Sequence, residues 1–184
     1  MCGARSPSLG EPGLKQLISV LITFALTVPV VAQSVSTERT NGYRRAHERQ
    51  IIAEFARLLE IPNVASDLPN IRRNAEFIRE MMQKRGLNPR LLETASKSTP
   101  PAIYGEWKTP GATRSLIFYA HYDGQPTDPN QWTRTEPWQP TWRSAALESG
   151  GKILTLPAAG EPINPEWRLY ARSAADDKAG VMAI

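Results

Sequence analysis

Two short polar clusters in this chain contain the types of side chain that a zinc site needs. His121 and Asp123 follow the apolar run 115–120, and Asp176 and Asp177 follow a second apolar stretch further along the chain. An imidazole nitrogen and a carboxylate oxygen are both common zinc ligands. Each cluster alone has an ordinary explanation, because polar residues often end a strand and aspartate often caps a helix. Their significance therefore depends on the combination of the two clusters in one chain.

The spacing within each cluster indicates what its side chains can do. Residues i and i+2 of an extended chain point to the same side, so the Asp123 carboxylate can orient the His121 ring. The end of a buried strand is also where α/β proteins place binding groups. Asp176 lies at a predicted turn, where each of its two oxygens can bind one of two metals. Two such metals polarise a carbonyl group and generate hydroxide from a shared water.

Two amphipathic helices are predicted ahead of these clusters, over residues 43–60 and 70–85. Pro62 ends the first helix, the segment 66–70 has capping and turn residues, and Gly86 is the expected residue after the second helix. The predicted buried residues of the first helix are Ile51, Ile52, Phe55, Leu58 and Leu59, with Arg49, Glu54 and Arg57 off that face. Those of the second helix are Ile71, Ala75, Ile78, Met81 and Met82.

Strands are predicted to follow the helices, over residues 90–94, 102–107, 115–120 and 167–171. The third of these is continuously apolar, which suits a strand buried on both faces of a sheet. The segment 128–165 is rich in Pro and Trp and has no period, so it is predicted to be irregular. Residues 174–184 are predicted to form a turn and the start of a helix. Helices followed by strands indicate an α/β layered domain.

The composition excludes several classes of protein. The chain has 184 residues and a net charge of +4, and its charges are scattered rather than collected in the basic stripe that nucleic-acid binding requires. We therefore expect no nucleic-acid partner. Cys2 is the single cysteine, so no intrachain disulfide and no cysteine-based zinc finger can form. His47 and His121 are the two histidines, and His47 is expected to face solvent from the first helix.

The N-terminus has the pattern of a secretory signal peptide over residues 1–32. Positive charges precede the apolar run 17–31, and small residues stand before a cleavage site that is expected after Ala32. An uncleaved anchor helix is the alternative, although the apolar run is short for a membrane span. The expected product is a secreted or periplasmic protein that is not attached to a membrane after cleavage. Its segment 33–42 is expected to be flexible, and residues 43–184 to form the folded part.

The ordered set of motifs resembles the M20 family of zinc metallopeptidases, within the branch of carnosine-type dipeptidases and related amidohydrolases. The resemblance runs from about Arg49 to the last residue. It rests on His-x-Asp-x-Gln-Pro from His121, on Leu-Tyr-Ala-Arg-x-Ala-x-Asp-Asp-Lys from Leu169, and on the earlier segments 59–65, 70–75 and 104–107. The resemblance implies an α/β fold that is the N-terminal part of a zinc-peptidase catalytic domain, with two helices and then a mixed sheet, in a truncated chain.

The same resemblance implies a role for each site residue. His121 is implied as the terminal ligand of one zinc, Asp123 as the residue that orients it, and Asp176 as the bridge between two zincs. The peptide bond between Asp176 and Asp177 is implied to be cis. The complete enzyme would use a zinc-activated water to cleave dipeptides or acyl-amino acids, and a smaller inserted domain would make it a homodimer. Other divalent metals are also possible, because carboxylate-rich sites accept several ions.

The chain also departs from the family pattern. Ala171-Arg172-Ser173 stands where the family usually has Gly-Arg-Gly, Gly124 replaces a common Val, and Gly180 comes one position later than the usual glycine. The family's general-base glutamate and its remaining ligands are expected beyond Ile184. Residues 1–184 alone are therefore expected to be an inactive fragment.

A second reading is a catalytically dead secreted module that binds peptides or glycans. Its binding residues would be Trp132, Trp138 and Trp142, which lie in the proline-rich segment. Their uneven spacing is more typical of side chains that pack a loop against its domain.

Overall fold

The computed structural model describes the backbone of residues 29–96, 98–132, 135–156 and 161–184. Side chains are described from Thr37 onward, except for that of Pro129. One compact unit ends at Glu48, and a second comprises Arg49–Ile184. The predicted site residues all lie in the second unit. Most of the predicted signal peptide, residues 1–32, lies outside the described residues.

Three α-helices and five short strands make up the described part of the chain. The helices are α1 Pro29–Leu59, α2 Leu68–Lys84 and α3 Ala179–Ala183. The strands are β1 Arg90–Leu92, β2 Ala102–Tyr104, β3 Thr141–Arg143, β4 Ile153–Leu154 and β5 Arg168–Tyr170. Single turns of 3-10 helix occur at Pro129–Gln131 and Leu147–Ser149.

Helix α1 begins earlier than the sequence predicts. It starts at Pro29 rather than at Tyr43, so the segment 33–42, predicted to be flexible, is helical. Proline suits the first position of a helix. Between Pro29 and Leu59 the sequence has one glycine, Gly42, and no further proline, so little in it opposes a continuous helix. The polar residues that suggested a loose segment fit an exposed helix, since residues 37–42 are exposed. None of the helices in the described residues is long and apolar enough to span a membrane.

The core of the second unit forms where the end of α1 packs against α2. Leu58 and Leu59 are fully buried, as predicted, and Ile78 and Met81 of α2 are almost fully buried. Partly buried apolar side chains complete this cluster, namely Phe77, Met82, Ile103, Tyr122, Val181 and Met182. Tyr122 lies within the first polar cluster, and Val181 and Met182 closely follow the second, so the core lies directly beneath the candidate site.

Helix α2 has the ends that its sequence predicts. The side chain of Asp67 accepts a hydrogen bond from the backbone N–H of Asn70, which caps the first turn. Gly86 follows the helix with a φ of +80°, a conformation that glycine adopts without steric cost.

One residue of α1 differs from the prediction. Glu54 was expected to lie off the packed face, but it is buried, and its carboxylate binds Arg85 at 2.6 Å.

The strands form two small antiparallel sheets instead of the mixed sheet that was predicted. Strands β1 and β2 pair with each other, and β3 lies between β4 and β5. Two of these strands, β3 and β4, lie within the segment 128–165, which the sequence predicted to be irregular. Short strands of two or three residues carry too weak a periodic pattern to be recognised in a sequence. The one parallel bridge among the described residues joins Val64 to Gly124.

The apolar run 115–120 is not a buried strand, and this prediction is wrong for the described structure. Leu116, Ile117, Phe118 and Tyr119 are between 69% and 93% exposed. A strand is defined by its hydrogen-bonding neighbours, and the described residues provide no partner strand for this run. The apolar composition therefore identified a segment suited to burial, although the described part of the chain does not bury it.

The segment after β5 forms the predicted turn and short helix. Residues Ala174–Lys178 make one wide turn, in which Asp176 and Asp177 have non-helical backbone angles. The peptide bond between these two aspartates is cis, as the M20 resemblance implies. Ser173 precedes the turn with a φ of 60°, and α3 continues directly from it.

Candidate metal-binding site

The fold brings His121 and Asp176 into direct contact, although they come from different parts of the chain. The Nε2 atom of His121 lies 3.0 Å from Oδ1 of Asp176. The other ring nitrogen, Nδ1, lies 3.2 Å from Oδ1 of Asp123 and 3.1 Å from its backbone oxygen. The two ring nitrogens therefore face different carboxylates. The contact with Asp123 is the one that the two-residue spacing predicts.

Electrostatics at the ring reflect these two carboxylates. Desolvation by burial is the largest single influence and lowers the pKa of His121. The hydrogen bonds from Asp176 and Asp123 together outweigh it and raise the pKa above its usual value. The two carboxylates therefore favour the protonated form of the ring.

The donor atoms at this position suit a zinc ion. Two ligands of one zinc, each about 2.1 Å from the metal, lie roughly 3.0–3.4 Å apart for bond angles between 90° and the tetrahedral value. The separation of 3.0 Å between His121 and Asp176 falls in this range. The Asp176 side chain is 90% exposed, so its oxygens are accessible to an ion. Within the described residues, however, no group of three or more His, Cys, Asp or Glu side chains is placed to hold a metal ion.

A cleft of about 300 Å³ contains all three predicted site residues. Its walls come from the two motif segments, and its lining residues include His121, Asp123, Gln125, Arg172, Ser173 and Asp176. The guanidinium of Arg172 donates through Nε to the backbone oxygen of Gln125 at 3.1 Å, which ties the two walls together. The cleft is open to solvent beside Asp176.

Asp177 contacts the backbone of His121, an interaction that the sequence did not reveal. Its Oδ2 accepts a hydrogen bond from the backbone N–H of His121 at 3.3 Å. The carboxylate rests on Gly180, where an added Cβ would lie 2.2 Å from Oδ1 and 2.8 Å from Cγ. A glycine at position 180 therefore has a steric reason, since a side chain there would displace the Asp177 carboxylate.

Replacing Gly180 with alanine is expected to lower the free energy of unfolding by about 1–3 kcal/mol, because the new methyl group must displace the Asp177 carboxylate. Urea denaturation measures this change. Gly42→Ala is the matched control, since nothing lies within 4 Å of a Cβ added at Gly42 in α1. The control is expected to be neutral or slightly stabilising. Equal stability of the two variants would contradict the steric role of Gly180.

Lys178, directly after the aspartate pair, is fully buried beneath the site. Its Nζ atom donates to the backbone oxygens of Leu58 and Ile61, at 2.7 Å each. Burial lowers the pKa of Lys178 from its ordinary value to about 7. The lysine thereby connects the end of α1 with the turn that contains Asp176.

The other residues that the sequence singled out lie elsewhere. His47 stacks on Tyr43 with ring centroids 4.1 Å apart, and its Nδ1 lies 2.9 Å from the backbone oxygen of Tyr43, so it is half-buried rather than fully solvent-facing. The three tryptophans of the alternative reading, Trp132, Trp138 and Trp142, are each partly buried. Trp142 belongs to β3 and pairs across the sheet with β4 and β5.

Comparisons with known proteins bear on the fold. No protein-family model matches the chain, and no curated protein matches it. Among solved structures, the chain is similar to Dug1p, a dipeptidase from Saccharomyces cerevisiae, with a TM-score of 0.53 and 18% sequence identity. The match covers 75% of this chain and 28% of the Dug1p chain. This likeness shows a shared α/β fold over that part, and the chain spans less than a third of the length of its structural neighbour.

Proposed function

We propose that this chain is the N-terminal part of a secreted or periplasmic M20-type metal-dependent hydrolase that cleaves dipeptides or acyl-amino acids. The observation that carries the proposal is the contact between His121 Nε2 and Asp176 Oδ1 in one cleft. Asp123 on the opposite ring nitrogen supports it, and so does the structural likeness to a dipeptidase. The complete enzyme is proposed to be a homodimer that acts on small substrates.

The proposed roles follow from the position of each side chain. Asp123 holds a proton at Nδ1 of His121, which leaves the lone pair of Nε2 free for a metal. His121 and Asp176 would hold zinc, and Asp176 has a second oxygen for a neighbouring ion. When bound, zinc supplies a Lewis acid and a water of lowered pKa. Two protein donors do not complete a catalytic zinc site, which normally has three, so further ligands and a general base are required.

Metal removal tests this proposal in the full-length natural protein. Dialysis against a chelator is expected to abolish hydrolysis of dipeptides, and adding zinc back should restore it. Calcium serves as the control ion, because it prefers six to eight oxygen ligands and should not restore activity. Residues 1–184 alone are expected to hydrolyse nothing. Full activity after complete removal of zinc, manganese and cobalt would contradict the proposed function.

A further inference from the structure

The segment 58–64 lies under both motifs and contacts each of them through buried hydrogen bonds. Lys178, from the second motif, binds the carbonyl oxygens at 58 and 61. The backbone oxygen of Asn63 accepts from the N–H of Gly124, in the first motif, at 2.7 Å. Asn74 of α2 donates to the backbone oxygen of Pro62 at 2.7 Å, which holds the segment itself in place.

The side chain of Asn63 connects the two motifs directly. It is fully buried, and its Nδ2 donates to the backbone oxygen of Tyr122 at 2.8 Å, next to His121. Its Oδ1 accepts from the hydroxyl of Ser173 at 3.3 Å, at the start of the turn that carries Asp176. One buried amide therefore links the backbone beside one proposed ligand to the loop beside the other.

Gly124 and Ser173 fit each other sterically at this point. A Cβ added at Gly124 would lie 2.3 Å from Oγ of Ser173, and 3.0 and 3.1 Å from the two polar atoms of the Asn63 side chain. Rotating the Ser173 hydroxyl away would relieve the first contact but would break its hydrogen bond to Asn63. A residue larger than glycine is therefore excluded at 124 while serine occupies 173.

Gly124 and Ser173 are therefore a complementary pair, in which the side chain at 173 occupies the space that a side chain at 124 would need. Ser173 has a φ of 60°, a backbone conformation that favours glycine, and its hydroxyl bonds to Asn63.

We propose that Asn63 is a positioning residue of the metal site, and that Asn63, Ser173 and Gly124 together fix the distance between His121 and Asp176. This set of three residues is called the Asn63 cluster below. The inference rests on the proposed function for its metal, while its geometry exists in the metal-free chain. Partners that orient metal ligands typically change metal affinity by about 10–100-fold when they are removed, which sets the effect expected here.

The first test replaces Asn63 with alanine in the full chain and uses two readouts. NMR of the ring nitrogens, without metal, is expected to show a changed His121 signal and an unchanged His47 signal. Cobalt titration, followed by its visible absorption, is expected to show affinity lowered by about 10–100-fold. Asn130→Ala is the control, because the side chain of Asn130 is exposed and bonds only to Asp128 among the described residues. Lower thermal stability with unchanged ring signals and cobalt affinity would overturn the proposal.

A second pair of variants keeps the proposal testable even where Asn63→Ala does not fold. Gly124→Val is expected to weaken cobalt binding and shift the His121 ring signals. Adding Ser173→Gly to that variant should raise cobalt affinity again by about tenfold or more and return the His121 ring signals toward their starting positions, since the two side chains then no longer compete for the same space. Failure of the second substitution to restore either readout would overturn the proposal. If the unaltered protein binds no cobalt, the proposed function fails, and the ring signals alone still decide whether the cluster positions His121.

Discussion

Replacing His121 with alanine is expected to lower zinc affinity by at least about a hundredfold, whereas replacing His47 should leave it unchanged. The binding free energy of a four-ligand protein zinc site is roughly 10–16 kcal/mol, so one ligand contributes about 3 kcal/mol on average. His121 contacts Asp176 through Nε2 and Asp123 through Nδ1, so its removal takes away the proposed nitrogen ligand. Isothermal titration of zinc into the metal-free full-length protein measures the difference.

The two histidines of residues 1–184 provide a matched comparison. His47 bonds to the backbone of its own helix and stacks on Tyr43, so its removal changes total histidine content without touching the cleft. Asp176→Asn and Asp128→Asn form an equivalent pair of carboxylate variants, since Asp128 is exposed and bonds only to its near neighbours in the described structure. Equal zinc affinity of the His121 and His47 variants would exclude His121 as a ligand.

The activity of the His121→Ala variant tests whether catalysis, as well as zinc binding, depends on this residue. In the full-length protein, loss of a metal ligand should abolish dipeptide hydrolysis while the fold survives, because His121 is only partly buried. Circular dichroism on the same sample would verify the fold. Activity retained by the alanine variant at saturating zinc would show that the reaction does not depend on this ligand.

The sequence predicted those features that depend on local pattern. Helix α2, its Asp67 cap and the glycine after it follow from residue types within a few positions of each other. The contact between His121 and Asp123 follows from their spacing of two. The meeting of His121 with Asp176 could not be derived from spacing and was implied only by resemblance to a family.

Features that depend on distant partners could not be predicted. The run 115–120 has the composition of a buried strand, but pairing depends on other strands and the described residues supply none. Asn63 and Lys178 are invisible to pattern analysis because they bind backbone oxygens, which every residue has. The lysine contact with Leu58 spans 120 positions of the chain. Asn63 and Ser173 are similarly separated, by 110 positions.

Replacing Lys178 with alanine is expected to lower the free energy of unfolding by about 3–5 kcal/mol, the second large effect. The substitution leaves a cavity under the site and removes the Lys178 donor from two buried carbonyl oxygens, those of Leu58 and Ile61. Charge is not needed for these bonds, since a neutral amine still has two N–H groups and the pKa of Lys178 is about 7. The buried side chain of Lys178 therefore links α1 to the turn Ala174–Lys178, which contains Asp176.

Methionine at the same position separates the two contributions. Lys178→Met keeps most of the volume but donates no hydrogen bond, so a loss of only about 1–3 kcal/mol is expected from the removal of the Lys178 donor. The difference in the free energy of unfolding between the Met and Ala variants then measures the contribution of packing. Lys108→Ala is the control, because the side chain of Lys108 is 81% exposed. Urea denaturation without metal gives all four values. An alanine variant within about 0.5 kcal/mol of the unaltered chain would show that the Asp176 turn is held without this lysine, since ordinary surface substitutions change stability by no more than that.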